Sequence, residues 1–169
     1  QNTFKYNIIN TKSSISNKKM SKKELNPNVS VDCVIFGFDL EQLYVLLIDS
    51  GSTESYNQAR MAVPGDLIYD TETLDEAARR VLKELTGIEN IYLEQIGAFG
   101  DPDRIGKKAS DRKWLESIRA MPEARVITVA YYSLVRMPNF NPKASSFAKS
   151  AGWAPVKEVH DLAFDHYEI

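Results

Sequence analysis

The stretch VSVDCVIFGFD, residues 29–39, is apolar on both sides of an extended chain. Val31, Cys33, Ile35 and Gly37 would face one way and Asp32, Val34, Phe36 and Phe38 the other. This predicts a strand buried on both faces for most of its length. LYVLLIDS (43–50) has the same character, and the intervening DLEQ is short enough for a hairpin loop. A sheet therefore starts with these two segments.

Downstream, SGSTESYNQAR (50–60) is polar and aperiodic and reads as a surface loop, and MAVPGDLIYD follows as a short strand broken by Pro64 and Gly65. A helix is expected next. Thr71 or Thr73 can cap its start, and Glu72, Asp75 and Glu76 lie near the first turn, where the helix dipole favours negative charge. Leu74, Ala78, Val81 and Leu85 form one apolar stripe, and Gly87 supplies the left-handed residue that stops the helix. IENIYLEQIGAFG (88–100) contains a further strand, and ARVITVAYYSLV (124–135), rich in β-branched and aromatic residues, is the strongest strand signal in the chain. Between them, Trp114, Leu115, Ile118 and Met121 recur at helical spacing in an inserted segment spanning about 106–123. The last residues read as a strand, a helical turn and the start of a helix capped by Asp165.

At 169 residues, with 43% hydrophobic and 26% charged residues, the chain suits one compact domain. No apolar run approaches the ~18 residues of a membrane span. Cys33 is the single cysteine and sits in a buried-strand pattern, so no internal disulfide forms, and a reducing, cytoplasmic location is expected. Residues 1–30 hold six lysines and one glutamate against a whole-chain charge of −2, so the body is mildly acidic. Residues 1–28 are expected to be a flexible basic arm, with the folded domain running from 29 to 169. The body shows no basic patch suited to nucleic acid. His160 and His166 lack cysteine or histidine partners at ligand spacing, which argues against zinc.

The helix carries a second pattern. Glu72, Arg80, Leu82, Glu84, Gly87 and Ile88 stand at the spacing of the Nudix box: Gly, five residues, Glu, seven residues, Arg-Glu, an aliphatic, any residue, Glu-Glu, any residue, Gly, aliphatic. The chain resembles that family in this register, with Asp66 in place of the first Gly and Val81 and Leu85 in place of two glutamates. The resemblance implies an α+β (α/β) fold with a mixed β-sheet sandwiched between helices. In an intact box, carboxylates at i, i+3 and i+4 lie within about 100° of one another on one helix face, close enough to share Mg²⁺. Here Glu84 is the one metal ligand left of three. Nucleoside diphosphate hydrolysis needs cations to activate water and neutralise developing charge, and one glutamate between two aliphatic side chains serves neither need well. Without the box, Glu76, Arg80 and Glu84 also fit an exposed ion-pair ladder worth about 0.3–0.5 kcal/mol per pair.

EQIGAFGDPDR followed by RVITVAYYSLV, with SVDCVIFGFD and WAPVKEVHDLAFDH, is similar to ADP-ribose-type Nudix domains and to the Nudix-related transcription regulators. In those regulators the domain senses ADP-ribose or arabinose and a C-terminal winged helix binds DNA. The resemblance implies a ligand-sensing domain that binds a sugar or nucleotide sugar without hydrolysis and requires no cofactor. Such a domain would work as a homodimer, with DNA contacted only through a C-terminal domain that residues 1–169 do not contain. The expected contacts are Asp101, Asp103 and Arg104, whose guanidinium fork suits a phosphate or a sugar hydroxyl, and Tyr132 and Trp153, which can stack on a ring. Tyr131 shares that option, and a solvated turn at 101–104 and a core role for the aromatics are the plain alternatives. The competing function is a Mg²⁺-dependent pyrophosphatase for ADP-ribose or a related nucleoside diphosphate. It would use the remnant Glu72, Arg80 and Glu84, with a carboxylate such as Glu116 or Glu123 from the insertion.

Overall fold

A computed structural model describes residues 23–49, 61–105 and 109–169. The expected loop at 50–60 and most of the expected basic arm lie outside these residues. β1 (Leu25–Phe38) and β2 (Leu43–Asp49) form the antiparallel hairpin, closed where Asp39 Oδ1 accepts the Glu41 and Gln42 N–H groups. β3 (Met61–Ala62), β4 (Gly65–Tyr69), β5 (Glu94–Phe99), β6 (Ile127–Arg136) and β7 (Ser150–Pro155) complete one mixed sheet. Its order is β3-β2-β1-β6-β5, with β4 also on β1 and β7 also on β2. The β1–β6 pair is parallel, from Val29–Ile127 to Phe38–Arg136.

β1 begins at Leu25, four residues inside the stretch expected to be arm. Asn28 Nδ2 donates to the Arg125 carbonyl and Asn26 Nδ2 donates to Asp70, so polar side chains that read as disorder hold the strand's start. Along its other edge β1 changes partner. Ser30, Val31 and Asp32 pair with Leu67, Asp66 and Gly65 of β4, whereas Phe36, Gly37 and Phe38 pair with Val45, Tyr44 and Leu43 of β2. The Cys33 N–H, in the gap, donates to the Pro64 carbonyl at 2.8 Å.

α1 (Leu74–Thr86) packs on one sheet face. Thr73 is its N-cap in a reciprocal capping box with Glu76, and Gly87, at φ 71°, closes it with its N–H on the Lys83 carbonyl. Ala77, Ala78, Val81, Leu82 and Leu85 join Val31, Cys33, Ile35, Leu46, Ile48, Val129 and Tyr131 in the main core. The opposite face buries Val34, Val45, Leu47, Val63 and Leu162 in a smaller core. α2 (Ala109–Ile118) buries Leu115 and is tied to the chain end, where Asp111 accepts the Phe164 N–H.

Two expectations are corrected. The inserted helix ends at Ile118, so Met121 falls in a turn and is 58% exposed instead of continuing the apolar stripe. Asp165 caps no helix: residues 164–168 form turns, and its carboxylate is taken by Arg104. A capping role and a buried ion pair compete for the same oxygens, and the bidentate guanidinium contact is the stronger.

Val81 and Leu85 are 1% and 2% exposed. Leu85→Ala should therefore lower the unfolding free energy by about 2–5 kcal/mol, measured by urea denaturation. Val81→Glu should cost at least as much, because its carboxylate would enter the core without a partner.

Candidate ligand cavity and the remnant box

The change of partner along β1 leaves a small cavity of about 30 Å³, partly open to solvent. Ser30 and Asp32 line it from β1, and Gly65 and Asp66 from β4. Arg104 and Ile105 come from the loop after β5, Arg119 from the end of α2, and Phe164 and His166 from the final turn. A Cβ at Gly65 would collide with Asp32 Oδ1, so only glycine there leaves the Asp32 carboxylate its place.

The groups in the wall are charged and mostly buried. Arg104, 4% exposed, clamps Asp165 through Nε (2.8 Å) and Nη2 (2.7 Å), and its Nη2 lies 3.6 Å from Asp32 Oδ2. His166 Nδ1 accepts the Val63 N–H at 3.2 Å and its Nε2 stands 3.7 Å from Asp32 Oδ1. Burial pushes the His166 pKa down, against the pull of Asp32 and Asp165. The Arg119 pKa is also lowered, first by burial, while Asp66 and Asp32 work to keep it charged. Its Nε is buried with no hydrogen-bond partner among the described residues. Asp66 is raised, again chiefly by burial, although its Oδ1 accepts the Leu67 N–H and Arg119 and Arg80 favour its charge.

The box residues are built differently. Arg80 reaches Glu72 through Nε and Nη2 (2.9 and 2.6 Å), the Leu67 carbonyl through Nη2 (3.0 Å) and Glu84 through Nη1 (3.0 Å). Its guanidinium lies 4.3 Å from the centre of the Tyr69 ring. Burial works against that charge, but the hydrogen bonds to Glu72 and Glu84 outweigh it and raise the Arg80 pKa. Glu72 is lowered, its burial outweighed by Arg80 and by the Tyr69 N–H. Glu72 and Arg80 thus fasten α1 to β4. Glu76 is occupied in the cap, so the Glu76–Arg80–Glu84 ladder is reduced to its Arg80–Glu84 half. Glu84 is the helix carboxylate left, half-exposed and paired to Arg80.

With Val81 and Leu85 in the core, Glu84 is the one of the three box carboxylates that the helix still offers to a divalent cation. Among the described residues, no group of three or more His, Cys, Asp or Glu side chains is placed to hold a metal ion. Glu116 and Glu123 are exposed and line no part of this cavity.

Of the expected ligand contacts, Arg104 lies in the cavity wall. Asp103 borders a wider neighbouring cavity of about 410 Å³ that shares Arg104 and Ile105 and includes Arg112, Glu123 and Arg125. Asp101 is exposed, its carbonyl accepting the Arg104 N–H. Tyr132 is 42% exposed on β6, beside Val34 and Glu94. Trp153 is half-buried on β7 with Nε1 on the Phe140 carbonyl. Tyr131 is a core residue whose hydroxyl donates to Asp75 at 2.6 Å. Asp32, Asp66, Arg119 and His166 also line the wall and were not among the expected ligand contacts. One signal was available: an aspartate inside the apolar run of β1.

A family model described as NUDIX domain matches residues 26–169. The chain belongs to the Nudix family. It is 30% identical over 149 residues to the ADPR responsive transcriptional repressor NtrR of Acinetobacter baylyi, covering 85% of this chain and 52% of the repressor. It therefore spans about half the length of that relative. An ADP-ribose pyrophosphatase of Methanocaldococcus jannaschii is 26% identical over 145 residues, covering 86% of this chain and 72% of the enzyme. Among solved structures, the NUDIX domain of Shewanella oneidensis NrtR complexed with ADP ribose superposes with a TM-score of 0.64. It shares 26% identity and covers 83% of this chain and 82% of that one. This Nudix domain is thus related both to ADP-ribose-responsive regulators and to ADP-ribose pyrophosphatases. No helix among the described residues is long and apolar enough to cross a membrane.

The depressed His166 pKa gives a signed pH dependence. Near and below the ordinary histidine value of 6.5 the unfolded chain binds a proton that the folded chain resists. Stability present above pH 6.5 should fall as the pH drops towards the folded value, by up to about 1.4 kcal/mol per pH unit. Urea midpoints between about pH 7.5 and 5.5 should show this slope. In His166→Gln the slope should flatten.

Proposed function

We propose that this Nudix domain is the ligand-sensing part of a transcriptional regulator and binds a nucleotide sugar of the ADP-ribose type without hydrolysing it. The observation that carries this reading is the burial of Val81 and Leu85 where the box would place two carboxylates, with Glu84 held by Arg80. The similarity to a repressor described as ADPR responsive and to a Nudix domain complexed with ADP ribose supports the ligand class. In this reading the protein acts as a homodimer and contacts DNA through a further C-terminal domain. Phe164 and His166 support such coupling, because both line the cavity from the last turn of the described residues.

The second reading, a Mg²⁺-dependent pyrophosphatase, draws on the archaeal relative and on the nearness of Asp66 to Glu84, whose charge helps raise the Asp66 pKa. One experiment separates the two. With ADP-ribose and Mg²⁺ the protein should release no AMP, while ADP-ribose alone should raise the melting temperature. At 100 times Kd the added stability would be about 2.7 kcal/mol. AMP release that disappears in Glu84→Gln would overturn the sensor reading.

A further inference from the structure

The wall around Asp32 and Asp66 encloses about 30 Å³, room for one or two waters, where ligand pockets reach roughly 300 Å³ or more. Part of that wall is Arg119, which follows α2 and continues its turn, its N–H on the Leu115 carbonyl at 2.9 Å. α2 is tied down at two further points: Asp111, 1% exposed, accepts the Phe164 N–H at 3.1 Å, and Leu115 is buried. Alongside lies the wider cavity of about 410 Å³, which Arg112 and Leu115 line from α2 and which shares Arg104 and Ile105 with the small one. The α2 segment therefore borders both a closed space and a roomier one.

Resting on the nucleotide-sugar reading above, we propose that α2 is a lid, closed in this structure, that must move off the Asp32–Asp66 wall before a nucleotide sugar can enter. Apparent affinity is then set by the fraction of molecules in which α2 is open.

Three observations make α2 the side that moves. Arg119 holds its place at a cost: burial opposes its charge more than Asp66 and Asp32 support it, and its Nε has no hydrogen-bond partner among the described residues. Opening returns that guanidinium to water. The wider cavity gives Arg112 and Leu115 open space on one flank, so a shift of α2 in that direction does not meet close-packed side chains. The other sides are fixed. Ser30, Asp32, Gly65 and Asp66 belong to the paired strands β1 and β4, and Arg104 is locked to Asp165 by two hydrogen bonds.

The test joins amide hydrogen exchange of the wild-type protein with calorimetric titration of ADP-ribose into wild type, Asp111→Ala and Leu115→Ala. Neither residue lines the small cavity, so neither substitution removes a contact there. Both loosen α2, and each should tighten ADP-ribose binding about tenfold, the size expected when loss of a hydrogen bond to a charged group or of a buried leucine raises the open fraction. Asp111→Asn, which keeps an acceptor for the Phe164 N–H, should return most of the way to wild type. In the wild-type protein the amides of 113–119 should exchange faster than those of β6, through local opening, without global unfolding. Unchanged or weaker ADP-ribose binding in both folded alanine variants overturns the lid, as does exchange of α2 as slow as that of β6. The nucleotide-sugar reading fails separately: if ADP-ribose binds to none of the proteins, that reading falls, and exchange at 113–119 alone decides whether α2 opens. Circular dichroism checks the fold of each variant, and wild-type exchange decides where neither alanine variant folds.

Discussion

Along one edge β1 pairs with β4 as far as Asp32 and with β2 from Phe36 onward, and the cavity follows from that exchange. A single strand edge cannot hydrogen-bond two partners at one residue, so β2 and β4 must separate where they meet. The Cys33 N–H is satisfied by the Pro64 carbonyl, and the space beyond is lined by the residues nearest the split. Gly65 keeps that space open to the Asp32 carboxylate. The segments that close it, from the β5 loop, α2 and the final turn, are held by the Arg104–Asp165 clamp and by Asp111 on the Phe164 N–H.

The remnant box shows how one register of residues can change occupation. Arg80 and Glu72 fasten the helix to β4 through bidentate, partly buried hydrogen bonds, and this work does not depend on a metal. Val81 and Leu85 extend the apolar surface that α1 presents to Cys33, Ile35 and Tyr131. Aliphatic side chains at these positions gain burial that ionised glutamates could have only with a cation to neutralise them. Retention of the fold and erosion of the donor set are therefore compatible: the structural members of the box and its metal ligands are different residues.

Much of the fold was legible because it rests on local chemistry. The hairpin, the capping box at Thr73, the glycine stop at Gly87 and the strand at Ile127–Arg136 each follow from residues adjacent in sequence or on one periodic face. The candidate site was legible only in part. Arg104 was singled out for its guanidinium, but its partner Asp165 lies 61 residues away and reads locally as a helix cap. Tyr132 and Trp153 have the chemistry of ring-stacking residues, yet they stand farther along the sheet, opposite Val34 and Leu46, and do not line the cavity.

The sequence by itself determined the family register, the amphipathic helix with its cap and stop, and the replacement of two box carboxylates by Val81 and Leu85. These are properties of spacing and side-chain type along a continuous segment, and they survive without knowledge of any neighbour. Tertiary structure alone decided that Asp32, Asp66, Arg104, Arg119 and His166 share one wall. It also decided that Arg104 is clamped by Asp165 and stands close to Asp32, while Arg119 Nε has no hydrogen-bond partner among the described residues. Which charges saturate one another depends on distances of a few ångströms between residues far apart in the chain, and the folded backbone sets those distances.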